Sequence, residues 1–150
     1  LTAEGPKALE FNCRFGDPET QPVMLRLQSS LVELVEAALD ARLDQIQAQW
    51  DPRPSLGVVL AAGGYPGDYA KGAPISGLSA GSAEAKVFHA GTALKDGQIV
   101  TSGGRVLCAT ALGSSVREAQ QRAYQLAADI SWDGCFYRKD IGYRAIARES

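Results

Sequence analysis

The sequence predicts an α+β protein in two pieces. A strand and two helices occupy residues 1 to about 44, a polar connection spans 45–54, and a small antiparallel-sheet domain with one packed helix fills 55–150. Three observations predict this. Lys7–Phe15 alternates apolar and polar residues with a period of two. Leu56–Ala62 is a continuous apolar run, and shorter strand-like runs follow it. Ser115-Val116-Arg117-Glu118 then opens a stretch of helical period with a capping box.

The elements follow in order. On Lys7–Phe15, the residues Leu9, Phe11, Cys13 and Phe15 share one face, and Glu10, Asn12 and Arg14 share the other. Gly16-Asp17-Pro18 ends the strand, because the residue before proline is held extended. From about Pro22 the period becomes helical: Met24, Leu27, Leu31, Leu34, Val35, Ala38 and Leu39 form an apolar stripe. Ser29-Ser30 interrupts it, and Ser30 with Glu33 makes a capping box, so a short helix precedes a longer one ending near Leu43. Trp50, Pro52 and Pro54 mark a surface connection.

Leu56–Ala62 predicts a buried strand. Val87–Leu94, Gln98–Thr101 and Arg105–Leu112 predict three more, with Asp96-Gly97 and Gly103-Gly104 as hairpin turns. The helix opened by Ser115 runs to about Ile130 on a stripe of Val116, Ala119, Ala123, Leu126, Ala127 and Ile130. A short strand near Cys135–Tyr137 and a last helical turn capped by Asp140 complete the chain.

Composition excludes several classes. With 150 residues, 45% hydrophobic and 21% charged, the chain falls outside the disordered and fibrous classes. Lys and Arg total 15 against 17 Asp and Glu, a net charge of −2 that lacks the basic footprint of a nucleic-acid binder. The sequence has no apolar run long enough for a membrane-spanning helix. Cys13, Cys108 and Cys135 are scattered and form no Cys-x-x-Cys pair, which predicts inert thiols in apolar settings and a reducing compartment, the cytoplasm by default. The opening Leu1-Thr2-Ala3 lacks Met, from which a piece of a longer chain is expected.

The sharpest chemical pattern is Glu10-Phe11-Asn12-Cys13-Arg14. Residues two apart on a strand rise about 6.6–6.8 Å and point the same way, so Glu10 and Asn12 can aim oxygens at one ion. A carboxylate with an amide carbonyl suits Mg²⁺ or Mn²⁺, which take their remaining ligands from water and phosphate. Arg14, one step along, can neutralise charge on a moving phosphoryl group or an acyl phosphate. An edge strand with one solvated polar face fits the same pattern equally well.

The segment that follows decides between them. Glu10 to Pro22, including Gly16-Asp17-Pro18-Glu19-Thr20-Gln21, resembles the metal-binding strand and loop of the glycinamide ribonucleotide synthetase family, within the ATP-grasp superfamily. The resemblance continues through Ala61-Ala62-Gly63-Gly64-Tyr65-Pro66-Gly67-Asp68-Tyr69, Val87-Phe88-His89-Ala90-Gly91-Thr92 and Gly103-Gly104-Arg105-Val106-Leu107. It ends with Trp132-Asp133-Gly134 and Asp140-Ile141-Gly142-Tyr143-Arg144.

The resemblance implies that residues 1–44 are the C-terminal end of an ATP-grasp core and 55–150 the C-terminal domain of such a synthetase. It implies a ligase of purine biosynthesis that joins glycine to 5-phosphoribosylamine through a glycyl phosphate, at the expense of ATP. By position, Glu10 and Asn12 match the divalent-metal ligands, and Arg14 matches the arginine that serves the anionic substrate. Asp17 and Glu19 sit in the adjoining loop as contacts for the amine or the ribose hydroxyls. The family's phosphate-binding lysines and adenine strand are absent from this chain, so the 150 residues alone are expected neither to hydrolyse ATP nor to form product. Two other readings stand beside this: a different ATP-grasp carboxylate–amine ligase, or a docking module paired with a separate chain carrying the rest of the ATP site. A strand edge and helical stripe left uncovered predict self-association of the isolated chain.

Gly63-Gly64-Tyr65-Pro66-Gly67 and Gly103-Gly104-Arg105 are read as turns first and phosphate contacts second. His89, the lone histidine, is read as structural, and Trp132 as core.

Overall fold

The computed structural model describes residues 2–11, 13–78 and 81–149. Its elements are α1 (Thr20–Arg26), α2 (Leu31–Leu39), β1 (Ser55–Ala61), β2 (Ala85–His89), β3 (Thr92–Lys95), β4 (Gln98–Thr101), β5 (Arg105–Leu112), α3 (Val116–Ala128) and α4 (Tyr143–Glu149), with a single 3₁₀ turn at Leu43–Gln45. The fold is α+β, as the sequence predicts.

Strands β1, β5 and β2 form an antiparallel sheet in that order, with β5 at its centre. The register pairs Leu56 with Ala111, Val58 with Ala109 and Leu60 with Leu107, and it sets Val87 opposite Ala109. Because side chains alternate across a strand, all of these share one face. That face meets α3, whose Ala119, Ala123 and Ala127 are fully buried in the same apolar cluster. Three methyl side chains at four-residue spacing let the helix lie close on the sheet. The opposite face carries Gly57, Val59, Cys108 and Thr110, and α1 packs there: a Cβ on Gly57 would stand 3.2 Å from Pro22 Cγ.

Helix starts follow their caps. Ser30 Oγ accepts the Glu33 N–H at 3.3 Å and Ser115 Oγ accepts the Glu118 N–H at 3.1 Å. Glu118 turns its carboxylate to the N–H and hydroxyl of Ser114, both at 2.6 Å, instead of to the cap residue itself. Asp140 does not cap α4; it pairs with Arg138 at 2.7 Å, and the helix begins at Tyr143. Near Cys135–Tyr137 the expected strand is a single bridge between Phe136 and Ala61.

Three further expectations, on strands and turns, are corrected. First, none of the described residues from 6 to 15 pairs in a ladder, so the strand expected over Lys7–Phe15 is absent from the described residues. An amphipathic strand is stabilised by a neighbouring backbone and an apolar layer, and no described strand runs beside this segment. Leu9 is 98% exposed and Phe11 84%. Second, Val87–Leu94 is two strands, β2 and β3, in different sheets. The break falls at Gly91, whose backbone meets Gly103 so closely that a Cβ would stand 2.6 Å from its Cα. Third, Gly103-Gly104 is no hairpin turn: β4 pairs with β3, and the chain crosses to the other sheet to begin β5. Asp96-Gly97 is the hairpin turn expected, with both residues at positive φ (50° and 78°).

The thiols differ among themselves. Cys108 is buried and Cys135 half-buried, and burial pushes both upward in pKa; Cys13 is exposed, against the expectation of a core setting.

A chain of charges ties the connection at 45–54 to the domain. Arg53 pairs with buried Asp51 at 2.8 Å and with Glu84, which also pairs with Arg122 at 3.1 Å, and Arg122 reaches Glu118 at 2.7 Å. Hydrogen bonds from the Arg53 side chain and then its backbone N–H hold the Asp51 carboxyl at about 2. Glu84 is lowered first by Arg53, and Glu118 first by Ser114. Carboxyls lowered in the folded state contribute stability above their unfolded pKa, about 4, and lose it as pH falls through their folded values. Thermal melts are expected to show Tm falling from about pH 4 toward pH 2, with a shallower fall in Asp51→Asn. Equal slopes in the two proteins would show that Asp51 carries none of the dependence.

Candidate functional site

The site begins in the turn between the N-terminal segment and α1. The Thr20 N–H donates to the Gly16 carbonyl at 3.0 Å, and the Thr20 hydroxyl donates to the same oxygen, closing a turn over 16–20. Inside it, Arg14, Gly16, Asp17 and Glu19 line one concavity of about 400 Å³. Arg14 Nη1 donates to the Phe15 carbonyl at 3.1 Å, which bends the guanidinium back along the chain. The Glu19 carboxylate folds over Gly16, so closely that a Cβ there would overlap it.

Three of the five residues singled out in the sequence are therefore gathered: Arg14, Asp17 and Glu19. Glu10 lies exposed on the preceding segment, outside any helix or strand, and does not line this concavity. Asn12 lies outside the described residues. Among the described residues no group of three or more His, Cys, Asp or Glu converges on a point. The donor chemistry of Glu10 with Asn12, one carboxylate and one amide, still matches a hard cation that takes most ligands from water and phosphate.

Sequence reasoning missed Arg105. Its Nη2 lies 3.0 Å from Oδ2 of Asp17, a half-exposed pair that ties the 16–20 turn to the first residue of β5. The signal was in view, since Arg105 closes the Gly103-Gly104-Arg105 motif, but that motif reads as a hairpin turn when the sheets are unknown. Pro18, next to Asp17, lines a second groove of about 450 Å³ together with Tyr65, Arg105, Tyr137 and Arg138, over a floor of Gly57, Val59 and Ala61. Its size suits a small molecule. Tyr65 stacks edge-on against Tyr69 with ring centres 6.2 Å apart. The Asp17–Pro18 and Tyr65–Pro66 bonds are both cis.

His89 and Trp132 do what the sequence suggested. His89 Nδ1 shares a 3.0 Å hydrogen bond with the Thr92 hydroxyl across the β2–β3 break, and Trp132 is buried in the main cluster. No helix among the described residues is long and apolar enough to cross a membrane.

The chain matches known proteins along nearly its whole length. Residues 55–144 match the family model described as phosphoribosylglycinamide synthetase, C domain. A protein of Pseudomonas putida named phosphoribosylamine–glycine ligase is 74% identical over 148 residues, which is 98% of this chain and 34% of that protein. Proteins of the same name from Vibrio cholerae and Escherichia coli are 70% and 66% identical over 96% of the chain, again spanning 34% of each. The crystal structure of phosphoribosylamine–glycine ligase from Thermotoga maritima superposes with a TM-score of 0.71 at 38% identity, covering 93% of this chain and 34% of that one. The chain thus spans about a third of the length of the relatives it matches. On a match that covers β1 through the start of α4, reinforced by a like fold, the chain belongs to the phosphoribosylglycinamide synthetase C-domain family.

Proposed function

We propose that these 150 residues serve in an ATP-dependent ligase that joins glycine to 5-phosphoribosylamine, an early step of purine biosynthesis in the cytoplasm. The observation that carries the reading is 74% identity to a phosphoribosylamine–glycine ligase over 98% of the chain. In this reading residues 1–44 end an ATP-grasp core, 45–54 link, and 55–150 form the C-terminal domain. The γ-phosphoryl group of ATP passes to the glycine carboxylate. The amine of phosphoribosylamine then attacks the acyl carbon, the amide bond forms and inorganic phosphate leaves.

Each residue has a role set by its chemistry. Arg14 holds the anionic carboxylate or acyl phosphate with a fixed guanidinium charge. Asp17 and Glu19 receive the amine or the ribose hydroxyls. Glu10 and Asn12 would hold Mg²⁺ or Mn²⁺, which when bound offsets charge on the ATP phosphates. The uncovered apolar row of Leu9, Phe11 and Phe15, with Val32, Val35 and Leu39 of α2, favours self-association of the isolated chain.

The test is a chimera in which these residues replace the matching third of the Pseudomonas putida relative. It is expected to release ADP and phosphate and form glycinamide ribonucleotide only when glycine and phosphoribosylamine are both supplied, whereas the 150 residues alone form none. A folded chimera that turns over with another amine in preference to phosphoribosylamine would refute the assignment.

A further inference from the structure

Three segments far apart in sequence meet at one point: the 16–20 turn, the Gly63–Tyr69 loop and Gly103–Arg105. We propose that Arg105 is a positioning residue for the acceptor substrate, holding the Asp17 carboxylate in place for the amine or hydroxyls of the phosphosugar. This deepens the reading above and rests on it.

The Arg105 guanidinium is supported from both sides. Its Nη2 meets Asp17 Oδ2 at 3.0 Å, and its Cζ lies 6.0 Å from the centre of the Tyr65 ring, within cation–π range. Tyr65 is itself fixed, because its ring lies against Gly104 so closely that any Cβ there would overlap it. The Ala62 N–H donates to the Gly104 carbonyl at 2.9 Å, locking the base of the tyrosine loop to the approach of β5. Gly91 N–H donates to the Arg105 carbonyl at 2.9 Å, so the backbone of Arg105 is held as well.

The direction of control follows from the difference in rigidity. Arg105 starts the central strand of the sheet, and every residue after it in β5 is buried. Asp17 sits in a turn whose neighbours Arg14, Phe15, Pro18 and Glu19 are exposed. A side chain rooted in a packed strand orders one on an exposed turn more than the reverse. The ion pair engages one oxygen of Asp17, and no second ion pair to Asp17 exists among the described residues. Its other oxygen therefore remains for a cationic or hydroxyl-bearing ligand. Aspartate released from Arg105 would sample several rotamers and meet the acceptor less often, a loss seen in binding of that one substrate.

The experiment compares Arg105→Gln and Arg105→Lys with the parent in the Pseudomonas putida chimera, measuring KM for each substrate, kcat and Tm. Arg105→Gln is expected to raise KM for phosphoribosylamine about 10-fold, the lower end for loss of a residue that orients a ligand group, while KM for ATP and glycine and the Tm stay at parent values. Arg105→Lys, which keeps the charge but not the planar fork, is expected to fall between them. Should Arg105→Gln fail to fold, Arg105→Lys decides by the same criterion. A parent-like KM for phosphoribosylamine in the folded variants overturns the proposal. So does an equal rise in all three KM values, or a fall in kcat that tracks a fall in Tm, since both mark a structural role. A parent chimera that makes no product with phosphoribosylamine overturns the functional reading and this inference together, and is recognised before any variant is made.

Discussion

In the chimera with the Pseudomonas putida relative, Glu10→Gln is expected to lower kcat/KM by roughly 10²–10³-fold at saturating magnesium, the scale seen when one preorganised electrostatic group is removed from a reacting centre. Glutamine keeps the shape and one oxygen but removes the negative charge that makes the carboxylate a good ligand for a hard cation. The Tm is expected to stay at the parent value, because Glu10 is exposed on a segment outside both sheets. Loss of activity without loss of stability would therefore report chemistry. Steady-state rates across a magnesium titration check it, and a parent-like rate would remove Glu10 from the metal site.

The second large effect concerns stability. Leu60→Ala is expected to destabilise the fold by roughly 2–5 kcal/mol, a sizeable share of the about 5–15 kcal/mol that holds a domain together. Leu60 is fully buried, pairs with Leu107 across the sheet and belongs to the cluster under α3. The fully buried part of the helix face above is the methyls of Ala119, Ala123 and Ala127, too short to reach into the vacated space, with the larger Val116, Tyr124 and Leu126 only partly buried beside them, so the cavity is expected to stay open. Urea denaturation is expected to show a lower midpoint with the slope m unchanged. Removal of an exposed side chain such as that of Lys95 should change the unfolding free energy by less than about 0.5 kcal/mol. Equal midpoints for Leu60→Ala and the parent would mean that α3 settles into the gap.

Much of the fold was readable because its signals are local. A serine followed three residues later by glutamate satisfies the free N–H groups of a helix start whatever lies beyond, and both such boxes cap helices, at Ser30 and Ser115. Asp96-Gly97 forms its turn because two adjacent residues at positive φ match the twist of a hairpin. Gly103-Gly104 shows where this fails. Its composition is equally turn-like, yet those glycines serve the approach of Gly91 on one side and Tyr65 on the other, both contributed by distant parts of the chain. The same contact cuts the apolar run at 87–94 into β2 and β3.

The site divides in the same way. Arg14, Asp17 and Glu19 lie within six residues, and a turn closed by Thr20 is enough to gather them. Glu10 and its neighbours on Lys7–Phe15 carry a strand pattern, but pairing is a property of two segments, and no described strand lies beside this one.

What the sequence by itself determined is the α+β class, the serine caps of α2 and α3, the buried strand β1, the Asp96-Gly97 turn and the family to which the chain is similar, since each depends on side chains a few residues apart. The tertiary structure alone decided which strands share a sheet, that α1 covers the face opposite α3, and that Arg105 meets Asp17. Those contacts join residues separated by dozens of positions, and their free energy exists only once the intervening chain has closed its loops.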